Sequence, residues 1–384
     1  MPREGETMFP GQRGGDRPEQ VGERPEQVGD RPEQVGDRPE QVGERLEQTV
    51  ERLEQIAGQE GNALTRREFV QTAAAGTAAL SLGALAGGCS AAAPMPTRPL
   101  GRTGLEISRL AFGGGSQFLL NEDGVWEPLL ERAVEAGVNW FDTCSSYQWG
   151  ASLSSEERFG EILPRHRSRI HIVTKFESRD PEEMKREVEQ SLTRLKTDYV
   201  DVLMIHSIEP SEDIAAVEAG VWREMVRLKE GGAARFLGFS SMNSAGKSAA
   251  MLTAFDIDVA LLAMNPTGYG AFPTVALPAA RSRGTGVIAM KVMRDIVGEE
   301  TGPEELLRWA WTRDGVASAV VGHASPGVFE TNLATTLAAG DAPEEGSDAM
   351  QVANRGLEER LAPLAGPHAL CWARPGYRDN GVPC

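Results

Sequence analysis

The sequence predicts an α/β protein whose folded part, residues 98–340, is a (β/α)8 TIM barrel. Three observations lead there. Eight apolar segments of strand length recur along the chain, amphipathic stretches of helical length separate them, and the whole alternation takes roughly 240 residues. The predicted strands are Leu110–Phe112, Asn139–Asp142, Ile170–Lys175, Val200–His206, Phe236–Ser240, Val259–Asn265, Gly286–Lys291 and Ala319–Gly322. The predicted helices include Pro128–Ala136, Pro181–Leu195, Val221–Glu230, Ser244–Ala254, Leu277–Arg283 and Glu304–Arg313. An open dinucleotide-binding sheet is disfavoured, because Gly113-Gly114-Gly115 lacks the third glycine of a G-x-G-x-x-G turn. Beyond about residue 340 the sequence turns acidic and irregular, so residues 341–384 read as a C-terminal extension.

Two segments precede the barrel. Residues 1–61 carry a seven-residue repeat, from GDRPEQV to VERLEQI. Its Val and Leu spacing resembles a coiled-coil seam, but Pro and Gly in the first four units each cost about 1–3 kcal/mol in a helix. A disordered tail is expected. Residues 62–97 hold Thr65-Arg66-Arg67-Glu68-Phe69-Val70 and a weakly apolar run to Gly88, which together resemble a twin-arginine export signal. Ala86-Gly87-Gly88-Cys89 resembles a lipoprotein cleavage box, making Cys89 a candidate lipid anchor. These features predict a partner in the twin-arginine export machinery and a location beyond the bacterial cytoplasmic membrane. Cytoplasmic residence is the alternative if the motif is not read as a signal.

Composition excludes some functions. The net charge is -17, which is the wrong sign for a nucleic-acid surface. Cys89, Cys144, Cys371 and Cys384 form no C-x-x-C pair, so neither zinc nor an iron–sulfur cluster is expected from their spacing.

Chemistry concentrates at the C-terminal ends of the predicted strands. Asp142 ends the second strand and Tyr147 lies in the loop after it; Lys175 ends the third and His206 the fourth. Catalytic groups of a barrel enzyme sit at that rim. Each residue alone has an ordinary explanation as a cap, a solvated lysine or a structural histidine. Four of them on neighbouring strands make a far more specific pattern.

The segments RPLGRTGLEISRLAFGGG, FDTCSSY, SSEERFG, IVTKF, DYVDVLMIH, GFSS and VVGHASPGVFETNLA resemble the aldo-keto reductase family, over residues 98–339. The resemblance implies NAD(P)H-dependent reduction of an aldehyde or ketone, or oxidation of the alcohol, with a sugar among the candidate substrates. It also implies roles for the tetrad. Hydride addition builds negative charge on the carbonyl oxygen, and a proton donor must meet it. A tyrosine of ordinary pKa, about 10, is a poor acid at neutral pH, and a neighbouring ammonium lowers that pKa. Tyr147 is therefore the expected donor, Lys175 its activator, Asp142 the holder of Lys175, and His206 the group that orients the substrate oxygen.

By the same resemblance, Ser240, Ser241, Asn265, Lys291, Gly322, Ser325 and Asn332 should line the NADP or NAD site, without a preference between the two. The chain departs from the family at several of these places: Ser241 stands for Asn, Leu261 for Gln, Val328 for Arg and Thr331 for Glu. GVIAMK resembles a subgroup with a C-terminal iron–sulfur segment, yet only Cys371 and Cys384 are present there. The departures leave a second expectation open, an exported scaffold or binding module with impaired cofactor use.

Overall fold

The computed structural model describes residues 94–293, 296–298, 301–339 and 347–365. The repeat tail, Arg66 and Arg67, Cys89, Cys371 and Cys384 lie outside the described residues. Among the described residues, no helix is long and apolar enough to cross a membrane.

A short antiparallel hairpin comes first, β1 (Thr97–Pro99) and β2 (Glu106–Ser108). Eight parallel strands follow: β3 (Leu110–Gly113), β4 (Trp140–Asp142), β5 (His171–Phe176), β6 (Val200–Ile205), β7 (Ala234–Ser241), β8 (Val259–Ala263), β9 (Gly286–Met290) and β10 (Val316–Gly322). They close in sequence order, β10 pairing with β3. The predicted barrel is thus the observed one, with β10 longer than expected and irregular between Val316 and Ser318.

The longer helices are α1 (Trp126–Glu135), α2 (Ser155–Ile162), α3 (Pro181–Leu195), α4 (Arg223–Glu230), α5 (Ala245–Ala254), α6 (Ala276–Ser282), α7 (Pro303–Trp311), α8 (Pro326–Ala338) and α9 (Asp348–Leu361). Local chemistry explains their limits. Asp180 caps α3 by accepting the Glu183 N–H at 2.9 Å, Pro181 occupies the first turn, and Lys196 ends the helix in a left-handed conformation. Met184, Val188, Ser191 and Leu195 then recur at spacings of three and four and form its buried stripe. A capping box of Ser154 and Glu157 opens α2.

The strand period of two sorts side chains into two cores. Residues such as Phe112, Phe141, Leu203, Phe239 and Leu262 point outward and pack under the helices. Trp140, Val173, Val202, Met204, Leu261 and Ile288 fill the lumen, and the hairpin seals it below with Leu100, Leu105 and Ile107. The lumen is therefore a packed core, and a ligand has room only at the C-terminal mouth.

The C-terminal extension differs from its sequence reading. Instead of an irregular segment, residues 348–361 form α9, capped by Ser347. Met350, Asn354, Leu357 and Leu361 make its buried face, and Asn354 in that stripe masked the helical period. Asn354 donates to Thr312 Oγ1 at 2.9 Å, and Glu358 accepts from Trp309 Nε1 at 2.7 Å, so α9 is docked on α7.

Candidate active site

Parity places three of the four tetrad residues. Trp140, Val173 and Met204 face the lumen, so Asp142 on β4, Lys175 on β5 and His206 just past the end of β6, each two residues further on, face the mouth above them. The Nζ of Lys175 donates to Asp142 Oδ1 at 2.7 Å and to the Thr143 carbonyl at 2.7 Å. Lys175 is 1% exposed, so the ammonium has traded water for these fixed acceptors. Behind it, Thr174 Oγ1 donates to the buried carboxylate of Glu156 at 2.5 Å, and Arg194 Nε donates to the same group at 2.7 Å. That network ties β5 to α2 and α3 and holds the strand that carries Lys175.

Tyr147 is held by its loop. Its N–H donates to the Cys144 carbonyl and its carbonyl accepts from Ser155 N–H at 2.8 Å, so the first turn of α2 anchors it. The Lys175 Nζ lies 5.2 Å from the centroid of the Tyr147 ring, and the His206 ring meets that ring edge-on at 5.8 Å. Trp149 covers it from outside at 4.7 Å, from a backbone with φ of 37°. Such a conformation costs a non-glycine residue about 1–2 kcal/mol, which the contact between the two tilted rings helps offset.

His206 has a partner that the sequence did not announce. Its Nδ1 donates to Glu177 Oε1 at 2.5 Å, and Cys144 Sγ lies 3.5 Å from the same nitrogen. Burial alone pushes the imidazolium down, but the Cys144 sulfur and the Glu177 carboxylate outweigh it and raise its pKa to about 10. Burial likewise pushes the Glu177 carboxyl up, and His206 and the hydrogen bonds from Ser146 and Cys144 bring it down to about 2. His206 is thus cationic at neutral pH, with Nδ1 engaged and Nε2 left for a ligand.

A cavity of about 930 Å³ opens at the mouth. Asp142, Tyr147, Lys175 and His206 line it together. The closed strand order puts β9 diametrically opposite β5, so Lys291, just beyond β9, faces the tetrad across the mouth. Lys291 has φ of 60°. The first turn of α8 lines the cavity beside it, and Ser325 caps that helix by accepting from Val328 N–H. A cation and a helix N-terminus at one wall favour an anion.

A sequence model of the Aldo/keto reductase family matches residues 110–295. L-Galactose dehydrogenase of Arabidopsis thaliana is 30% identical over 272 residues, covering 62% of this chain and 78% of that protein. The chain belongs to the aldo/keto reductase family. Uncharacterized oxidoreductase YqkF of Bacillus subtilis is 34% identical over 162 residues, 38% of this chain and 49% of that protein, so the match spans about half of YqkF. A solved Pseudomonas aeruginosa chain assigned to the aldo-keto reductases superposes with a TM-score of 0.54 at 26% identity, over 63% of this chain and 95% of that one. Aldo-keto reductase AKR11C1 of Bacillus halodurans shares the fold, with a TM-score of 0.57 at 19% identity over 68% of this chain and 96% of its own.

Against the family pattern, the seven residues expected around the dinucleotide divide. Ser240, Lys291, Gly322, Ser325 and Asn332 line the cavity. Ser241 and Asn265 do not. Ser241 has the outward parity on β7 and donates to backbone carbonyls of Ile208 and Ser244. Asn265 Oδ1 is taken by Thr267, through N–H at 3.1 Å and Oγ1 at 2.6 Å, while its buried Nδ2 has no hydrogen bond. Leu261, Met242 and Met290 supply an apolar wall, and Leu261 is one of the expected departures from the family. The cavity therefore fits a dinucleotide best at its phosphate end. Gly322 is fixed by packing, since a Cβ there would come within 2.7 Å of Gln117 Cβ. Val328 and Thr331 also line the cavity and leave no arginine or glutamate at those positions.

Proposed function

We propose that this chain is an NAD(P)H-dependent oxidoreductase that reduces an aldehyde or ketone, or oxidises the alcohol, with Tyr147 as the proton donor. The observation that carries the reading is the clamp on Lys175, which aims one buried ammonium at the Tyr147 ring between Asp142 and the Thr143 carbonyl. Lys291, Ser325 and the first turn of α8 would hold the phosphates of the dinucleotide, and Ser240 and Asn332 would lie along it. When bound, the nicotinamide supplies the hydride.

The protein's own residues account for the proton. As charge develops on the carbonyl oxygen, the Tyr147 hydroxyl gives up its proton, and the Lys175 ammonium favours the tyrosinate left behind. Cationic His206, with Nδ1 tied to Glu177, presents Nε2 to the same oxygen and orients it. Asp142 and the Thr143 carbonyl keep Lys175 charged and in place. In the oxidative direction the Tyr147 oxygen, as tyrosinate, takes the proton back from the alcohol.

The similarity to L-galactose dehydrogenase supports a small sugar as one substrate class. The test is dinucleotide binding by the purified protein, then turnover of wild type and Tyr147→Phe on a panel of aldoses and simple aldehydes. Turnover in the wild type and a loss of about 10²–10⁴-fold in the variant are expected. If neither NADH nor NADPH binds and both proteins are equally inert, the barrel is a binding module instead.

Export belongs to the same proposal and is supported by Arg66-Arg67 and the weakly apolar run that follows. Replacing both arginines by lysine should retain the protein in the cytoplasm. Normal export of that variant overturns it.

A further inference from the structure

Three residues that share no sequence motif meet behind the catalytic histidine. The strand ladder continues past β4 and β5, with Ser145 N–H donating to the Lys175 carbonyl and His206 N–H to the Phe176 carbonyl. Cys144 and Glu177 stand two residues beyond Asp142 and Lys175, and His206 stands two residues beyond Met204. Lys175 pairs with Met204, so Glu177 and His206, each two residues on, stand side by side, and Cys144 reaches both from the turn after β4.

We propose that Cys144 Sγ, Glu177 Oε1 and His206 Nδ1 form a binding site for a borderline-soft divalent cation of the Zn²⁺ kind. These atoms all lie within 4.8 Å of one another. Sγ is 3.5 Å from Nδ1 and 3.5 Å from Oε1. Tetrahedral zinc, with bonds of about 2.3 Å to sulfur and about 2.0–2.1 Å to nitrogen and oxygen, sets both of those edges at about 3.5 Å. Only the pair Nδ1 and Oε1, 2.5 Å apart around a shared proton, must open. Its tetrahedral separation is about 3.4 Å. The ion takes the place of that proton and of the thiol proton. Glu177 is the partly exposed member and supplies the movement. The mixture of sulfur, nitrogen and oxygen donors selects zinc-like ions over magnesium or calcium.

Of the three ligands, Glu177 also lines a cavity apart from the catalytic cleft. A second cavity of about 260 Å³ is lined by Glu177, Arg179, Glu209, Ser211, Glu212 and Asp213, and no residue lines both it and the catalytic cleft. Arg179 is engaged by Glu212 at 2.8 Å, so the mouth keeps an excess of carboxylates that attracts cations. Arg179 donates to the Glu177 and His206 carbonyls at 2.9 and 2.8 Å, so the ion would meet the site at the Glu177 carboxylate. Binding does not depend on the proposed reductase chemistry; only an effect on turnover rests on it.

The test uses the full chain, freed of metal by a chelator and titrated with Zn²⁺ and with Co²⁺. One equivalent should bind in competition with a chromophoric chelator, and Co²⁺ should give a near-ultraviolet thiolate charge-transfer band. Cys144→Ser should abolish the band, and Glu177→Gln should weaken Zn²⁺ binding at least tenfold while circular dichroism shows both folded. Absence of the band in the wild type, or its survival in Cys144→Ser, overturns the proposal. Unaltered affinity in a folded Glu177→Gln protein also overturns it. Where turnover is found, Zn²⁺ should lower it in a way that excess dinucleotide does not relieve.

Discussion

The Nζ of Lys175 and Oδ1 of Asp142 are 2.7 Å apart, with 1% of one side chain and 7% of the other exposed. Both charges are buried, and each is tolerable only because the other is there. The second Asp142 oxygen is buried without a hydrogen bond, so Lys175 and the cleft govern this carboxylate.

Removing one partner should accordingly cost more than removing both. Lys175→Met and Asp142→Asn are each expected to lose about 3–5 kcal/mol of stability, and the double variant clearly less than their sum. Urea denaturation of the four proteins gives the coupling directly. Simple additivity would mean that the pair does not act as a unit.

At the opposite end of the barrel, Asp201 is fully buried and accepts from Ile172 N–H at 2.9 Å, Arg167 at 2.6 Å and Arg235 at 2.7 Å. Burial by itself pushes this carboxyl up, but His171, Arg167 and the Ile172 N–H outweigh it and hold its pKa below the usual range. A depressed carboxyl contributes stability above its unfolded pKa, about 3.9, and loses it as the pH falls through the lower folded value. Asp201→Asn should cost about 3 kcal/mol at pH 7, and the gap to wild type should shrink below about pH 4. A gap that stayed constant down to pH 2 would contradict the shift.

Gly160 sets how closely α2 approaches α3. A Cβ at this position would lie 2.0 Å from the Arg194 carbonyl oxygen. Gly160→Ala must push the helices apart and loosen the Arg194–Glu156 contact behind Lys175, at a cost of about 1–3 kcal/mol. A melting temperature within a degree of wild type would show that the contact is slack.

Lys291 faces the tetrad across the mouth beside the α8 N-terminus. Lys291→Met should weaken NADPH or NADH binding about tenfold, equivalent to about 1.4 kcal/mol, with a smaller difference at high salt. Fluorescence titration at two ionic strengths reads both effects. Equal affinity would place the phosphates elsewhere.

Much of this was legible before folding. The eight strands, the exact limits of α3 and the placement of Asp142, Lys175 and His206 follow from short-range periodicity and strand ends. Ser240 and Ser241 were both expected in the cleft, yet strand parity admits only Ser240. The β1–β2 hairpin was missed because three-residue strands carry no pattern, although Leu100 and Ile107 close the lumen. Ser325 as cap and Pro326 as first residue open helix α8.

By itself, then, the sequence determined the barrel and the tetrad at its mouth, because a period of two on strands and three to four on helices is a local property. Only the tertiary structure decided what surrounds His206. Cys144, Glu177 and His206 are separated by about thirty residues each, and nothing in their local sequence relates them. Closing the parallel barrel puts their strands side by side, and lateral contact across hydrogen-bonded neighbours is a property that spacing along one chain does not encode.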